Sequence, residues 1–215
     1  MGAFVADRAI VFIDGNNWFH ALQAVGVEDR GRLDYQKISQ KLLGPRTWLE
    51  TRYYIGRMTQ QISAKLYGEQ RSFLAGLTKT DQRISVHLGR LEPRKAKNLA
   101  AKELRQYLGN LSTPIDRTVF ANLNAIARRH DDAVVYVEKA VDVMLALDLA
   151  TMAMGDGYDA AYLLSADGDY TPAVAVARKL GKKVYAASPL SGAQLASAVN
   201  TFITLPKAWF ADCYT

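Results

Sequence analysis

Residues 9–17 read Ala9-Ile10-Val11-Phe12-Ile13-Asp14-Gly15-Asn16-Asn17. Five apolar residues in a row, short and largely β-branched, predict a strand buried on both faces, as in a parallel sheet. The run stops at an acid, and the Asp-Gly-Asn-Asn sequence after it turns the chain. Beyond it, Trp18, Leu22 and Val25 fall at i, i+4 and i+7. That spacing predicts a helix stopping at Gly26.

The same alternation continues along the chain. Asp34 caps a second helix with Tyr35, Ile38 and Leu42 on one face and a stop at Gly44-Pro45. A strand is expected around residues 52–55, then a helix over about 63–77 with Leu66, Phe73, Leu74 and Leu77 turned inward. Ile84, Val86 and Leu88 alternate with Ser85 and His87, the pattern of a half-exposed strand. Further strands are expected at 134–137, at 159–164 and, as the last, at 184–186. Strongly apolar residues 142–154 predict a helix. Another is expected to open with Thr171 as N-cap and Pro172 at its first position. One more opens at Ser191, and a C-terminal segment around 205–209 packs on afterwards. Strands separated by helices argue for an α/β fold with a mostly parallel sheet.

Residues 91–132 differ. Arg90, just before them, opens a basic stretch (Arg94, Lys95, Lys97, Lys102, Arg105), and two helical patterns follow, one ending at Gly109 and one starting at Pro114. The chain therefore reads as a single domain over 1–215 with a helical insertion at about 92–132.

The bulk numbers fit that frame. Hydrophobic residues make up 49% and charged residues 22% of 215, which excludes an extended disordered chain. The one cysteine, Cys213, can make no internal disulfide, and no CxxC pair offers a zinc site. With no signal-peptide pattern at the N-terminus and no apolar run of about 18 residues, the expected compartment is cytoplasmic, with no membrane partner. The net charge of +6 favours a polyanionic partner.

In parallel sheets, ligands bind beyond the carboxyl ends of the strands. Asp14 ends the first strand. Asp142 follows the strand at 134–137. Ser165, Asp167 and Asp169 follow the strand at 159–164. Taken singly, these acids suit turns and helix caps. Taken together, Asp14, Asp142, Asp167 and Asp169 converge from three distant segments on one rim. Crowded carboxylates repel, and a divalent cation resolves the conflict. Hard oxygen ligands suit Mg²⁺ or Mn²⁺. Such an ion can activate a water to attack a phosphodiester, with no nucleophilic side chain required. Asp148, about 120° round the helix from Asp142, is expected to be structural.

Val11-Phe12-Ile13-Asp14-Gly15-Asn16-Asn17 resembles the opening motif of the NYN (LabA-like) domain family within the PIN-like nuclease superfamily. Glu138-Lys139-Ala140-Val141-Asp142-Val143 with Leu147-Asp148-Leu149 resembles the second motif, and Leu163-Leu164-Ser165-Ala166-Asp167-Gly168-Asp169-Tyr170 the third. The resemblance implies a PIN-like Rossmannoid three-layer fold with a mostly parallel central sheet flanked by helices. It implies a metal-dependent ribonuclease in which Asp14, Asp142, Asp167 and Asp169 bind Mg²⁺ or Mn²⁺. Asn17 and Ser165 would order the site or touch RNA, and Lys139 would lie near the phosphate path. Arg90 and Arg94 are the expected phosphate contacts of the basic stretch. Trp18, Tyr53 and Tyr54 could stack bases but read better as core. The roughly 40-residue insertion departs from the family pattern.

Other chemistries fit less well. An aspartyl phosphotransferase wants an acid where Asn16 stands. A dinucleotide fold wants GxGxxG after the first strand. No twelve-residue calcium loop continues past Pro172. The rival from another class is a non-catalytic RNA-binding or regulatory module on the same fold. Homodimerisation through the insertion or the C-terminal segment is compatible with the sequence, which offers no specific support for it.

Overall fold

The computed structural model describes residues 7–95, 98–131 and 134–215. Lys97 and Asp132 lie outside them. Seven strands are described: β1 (Arg8–Asp14), β2 (Thr47–Arg57), β3 (Ile84–Lys95), β4 (Val134–Lys139), β5 (Ala160–Leu164), β6 (Lys183–Ser188) and β7 (Thr201–Thr204). Eight α-helices separate them: α1 (Gly15–Ala24), α2 (Tyr35–Leu43), α3 (Ala64–Thr80), α4 (Leu99–Gly109), α5 (Arg117–Asp131), α6 (Val141–Met154), α7 (Thr171–Lys179) and α8 (Ala193–Ala198). Among the described helices, none is long and apolar enough to cross a membrane.

The strands form one sheet in the order β4-β3-β2-β1-β5-β6-β7. β1 pairs in parallel with β2 and with β5; β2–β3, β5–β6 and β6–β7 are parallel too. The order reverses between β1 and β5, so the chain has a topological switch point there, where open α/β sheets bind ligands.

The chain divides into two compact units, one of residues 1–90 with 139–215 and one of 91–138. In the first unit the apolar run of β1 behaves as its composition demands. Ala9, Val11 and Ile13 enter one core with Trp18, Leu22, Tyr35, Ile38 and Leu43. Ile10 and Phe12 enter the other with Leu145, Leu149, Val174 and Leu195. Helices α1–α3 thus cover one face of the sheet and α6–α8 the other. Each fully buried Leu or Ile contributes roughly 1.5–3 kcal/mol. In the second unit α4 and α5 pack on each other and bury Ala101, Leu108 and Ala127, while Leu99 and Tyr107 stay exposed.

Several local expectations change. Leu66 is 47% exposed rather than inward, because α3 turns Leu77 to the core, with Phe73 and Leu74 packed at its edge. β3 runs on to Lys95, so Arg90, Arg94 and Lys95 sit on a strand, with Arg90 and Arg94 exposed. Thr171 is the first residue of α7, not its cap. Its hydroxyl donates to Gly168 O in a 3₁₀ turn over Gly168–Tyr170. α8 starts at Ala193, after Gly192, instead of at Ser191. The strand at 183–188 is followed by β7, four residues whose half-buried Phe202 and Ile203 carry too little pattern to announce a strand.

Candidate metal centre

Asp14 closes β1 at the switch point and is 3% exposed. No turn intervenes before α1, which begins at Gly15. Asp14 caps this helix: Oδ1 accepts from Asn17 N at 3.2 Å. Its Oδ2 accepts from the Ser165 hydroxyl at 3.3 Å and from the Tyr170 hydroxyl at 3.0 Å. Gly15 is the residue this junction requires. A Cβ there would lie 2.6 Å from Tyr53 Cε1 and 2.7 Å from Tyr54 O.

Asp142 stands in the first turn of α6, where the helix dipole favours negative charge. The turn into α6 is tight. Ala140 adopts a left-handed conformation (φ 71°), which costs a non-glycine residue about 1–2 kcal/mol. Gly89 of β3 lies against this turn: a Cβ on it would be 2.5 Å from Val141 Cγ2 and 2.6 Å from Lys139 O. Tyr170 then joins the two acids, its hydroxyl lying 3.1 Å from Asp142 Oδ1 as well.

The loop after β5 completes the rim. Ser165 is fully buried, and its hydroxyl oxygen accepts from Asp167 N at 3.1 Å. Asn17 Oδ1 accepts from Ala166 N at 3.1 Å, which pins this loop to α1. Asp167 Oδ1 accepts from Asp169 N at 2.9 Å and caps the 3₁₀ turn that delivers Tyr170. Gly192 backs the loop, since a Cβ on it would be 2.4 Å from Ala166 O.

Burial pushes the carboxyl of Asp14 up to about 6; the charge of Asp142 adds to the rise, and the hydrogen bonds from Asn17, Tyr170 and Ser165 oppose it. Burial, then the charges of Asp14 and Asp142, push the Tyr170 hydroxyl up as well, so it stays a donor. One oxygen each of Asp14 and Asp142 lies within 4.8 Å of the other. Two carboxylates this close could hold a metal ion, and their oxygen donors fit a hard divalent cation.

The expected site residues therefore fall into groups. Asp14 and Asp142 come together, with Ser165 and Asn17 bonded around them. Asp167 and Asp169 lie on the adjoining loop, outside the 4.8 Å set. Lys139 ends β4 two residues before α6. Trp18, Tyr53 and Tyr54 are buried in the core. Asp148 bonds to Arg52 Nη2 at 2.9 Å and to the Tyr54 hydroxyl at 2.7 Å, the structural role expected of it. Sequence reasoning did not single out Tyr170 or Gly89. Tyr170 stood inside the third quoted motif. It carries no charge, so the search for acids beyond strand ends passed over it.

Comparisons with known proteins agree with this architecture. No curated protein matches the chain. A crystal structure of a Vibrio parahaemolyticus protein of unknown function is similar over 100% of this chain and 99% of that one, with a TM-score of 0.56 and 16% identity, a likeness of fold. The family model of the NYN domain matches residues 8–206. The acidic rim at the β1–β5 switch point and this match over nearly the whole chain agree: the protein belongs to the NYN domain family, with a PIN-like nuclease fold.

Proposed function

We propose that the protein is a metal-dependent ribonuclease, with Asp14 and Asp142 holding Mg²⁺ or Mn²⁺. The observation that carries this reading is the buried carboxylate of Asp14 brought close to that of Asp142 at the switch point. A buried acid beside like charges is unfavourable in the ionised form, and cation binding offsets that cost. When bound, such an ion lowers the pKa of water and neutralises charge on a phosphodiester.

The remaining roles belong to the chain's own groups. Tyr170 and Ser165 hold one oxygen of Asp14 and so fix which lone pairs face outward. Asn17 fixes the 166–169 loop against α1 and so sets where Asp167 and Asp169 stand at the rim. We assign these two acids to a second, outer position on the same rim, and Lys139 and Arg90 to the RNA phosphates. The surplus of positive charge supports a polyanionic substrate.

Incubation of labelled single-stranded and hairpin RNA with Mg²⁺, Mn²⁺ or EDTA tests the reading. Cutting with either ion and none in EDTA is expected. RNA binding without cutting under every condition would replace the nuclease with an RNA-binding module.

A further inference from the structure

A cavity of about 380 Å³ opens beside the same rim, on the face of the sheet that carries α1–α3. Its size falls in the range of small-ligand sites, roughly 300–1,000 Å³. It begins at Gly15 and Asn16, the two residues that follow Asp14, so its wall and the carboxylate share one stretch of backbone. The other walls are aromatic and aliphatic, with Glu69 and Gln70 at one side. Tyr35, Tyr53 and Phe73 meet edge to face with ring centroids 5.5–6.0 Å apart. The Arg30 guanidinium lies 4.6 Å over the Phe19 ring.

The polar groups around it are mostly engaged. Gln70 Nε2 donates to Gly56 O, and its Oε1 accepts from Met58 N. Arg30 Nη1 donates to Val27 O, whereas Arg30 Nε is buried and has no hydrogen-bond partner. The pocket thus combines π-rich walls with a stacked planar cation. A nucleobase presents the complement, a flat π face. Base stacking on aromatic rings accepts any base, and arginine adds a cation–π contribution. A protein side chain could use the apolar walls but has no need of a site joined to a carboxylate rim.

We infer that this pocket receives one unstacked base of single-stranded RNA, from a nucleotide adjoining the phosphodiester at the Asp14–Asp142 rim. The inference rests on the ribonuclease reading of that rim. It explains why aromatic side chains gather next to an acidic centre, where a bare phosphate site needs none.

The test is a binding measurement in EDTA, where nothing is cut. A short single-stranded RNA is compared with copies in which one abasic site is walked along the strand, using wild type, Phe19→Ala and Leu66→Trp. Phe19 and Leu66 line the pocket and are 44% and 47% exposed, so neither change empties the core. Thermal melting confirms that both variants fold. One abasic position is expected to weaken wild-type binding on the order of tenfold, in line with the stacking of a single base. Filling the pocket in Leu66→Trp, or removing the ring in Phe19→Ala, is expected to cost the intact RNA a similar factor. The abasic RNA should be indifferent to either change. Loss of affinity at no position, or variants that bind both RNAs as wild type does, overturns the inference. Intact RNA binding with an altered oligomeric state would instead assign the pocket to a protein contact and overturn it equally. A protein that cuts RNA yet shows no base-dependent position loses the pocket alone. One that shows the position but never cuts loses the ribonuclease reading alone.

Discussion

Tyr170 donates its hydroxyl to Asp14 Oδ2 across 3.0 Å, joining the end of the first strand to the turn that follows β5. The same hydroxyl lies 3.1 Å from Asp142 Oδ1, so one O–H is shared between two acids. Its ring is buried against the core beneath α6 and α7, which leaves it little freedom to move away. The tyrosine keeps two repelling carboxylates in place when no cation lies between them.

Tyr170→Phe should therefore destabilise the metal-free protein. Loss of a hydrogen bond to a buried charged group costs about 1.5–3 kcal/mol. With saturating Mn²⁺ the loss should shrink, because the ion takes over part of the work of holding the acids together. Denaturant unfolding with and without Mn²⁺ measures both. An equal loss in the two conditions would separate Tyr170 from the metal centre.

Asp142 and Asp148 stand on one helix and should behave differently. Asp148 is spent on Arg52 and Tyr54, away from the rim. Asp148→Asn should lower stability by about 1–3 kcal/mol, since it weakens a partly buried pair and leaves Arg52 poorly matched. Stabilisation by metal should survive in it, at about 2.7 kcal/mol when the ion is at 100 times its dissociation constant. Asp142→Asn should abolish that stabilisation. Thermal shifts over an Mn²⁺ series test the pair, and a retained shift in Asp142→Asn would remove Asp142 from the ligand set.

Much of this was legible in the residues, and the reasons differ by element. β1 and β5 carry continuous apolar runs because both of their faces are buried, and that pattern is strong in any sequence. Asp14 and Asp142 stood out because both follow strands whose carboxyl ends converge on one rim, where a parallel sheet binds ligands. β7 was hidden, because an edge strand of four residues has no periodicity to read. The role of Tyr170 depends on a 3₁₀ turn that swings it back under the rim. Such long-range closure, 156 residues from Asp14, leaves no local trace.

Gly89→Ala should cost about 1–3 kcal/mol, because the added methyl meets Val141 Cγ2 at 2.5 Å and Lys139 O at 2.6 Å. It should also weaken Mn²⁺ binding, since the turn it displaces carries Asp142. Gly76→Ala is the matched control. It lies within α3 with nothing within 4 Å of a new Cβ, so it should stabilise by about 0.5–1 kcal/mol. Urea midpoints of the two variants should move in opposite directions; a destabilising Gly76→Ala would contradict the packing described for α3.

Asp159 sets an acid limb of stability. Its Oδ2 accepts from Arg8 N at 2.8 Å and from Arg8 Nε at 3.1 Å, chiefly through the side-chain bond lowering its pKa from 3.8 to about 2. As pH falls, the unfolded carboxyl binds its proton first. The stabilisation is thus fully present above about pH 4 and is lost between about 4 and 2. Both side chains are more than a third exposed, so it amounts to less than about 1 kcal/mol. Arg8→Ala should flatten the unfolding curve over that window and leave the slope above pH 5 unchanged. A steep acid limb that survives in Arg8→Ala would assign it to other carboxylates.

The central claim is that the carboxylates at the β1–β5 switch point hold the ion that cuts RNA. Single-turnover cleavage of a labelled RNA by wild type, Asp14→Asn and Asp148→Asn in Mn²⁺ tests it most directly. Wild type and Asp148→Asn should cut at similar rates, and Asp14→Asn should not cut above the EDTA background. Undiminished cleavage by Asp14→Asn would contradict the account.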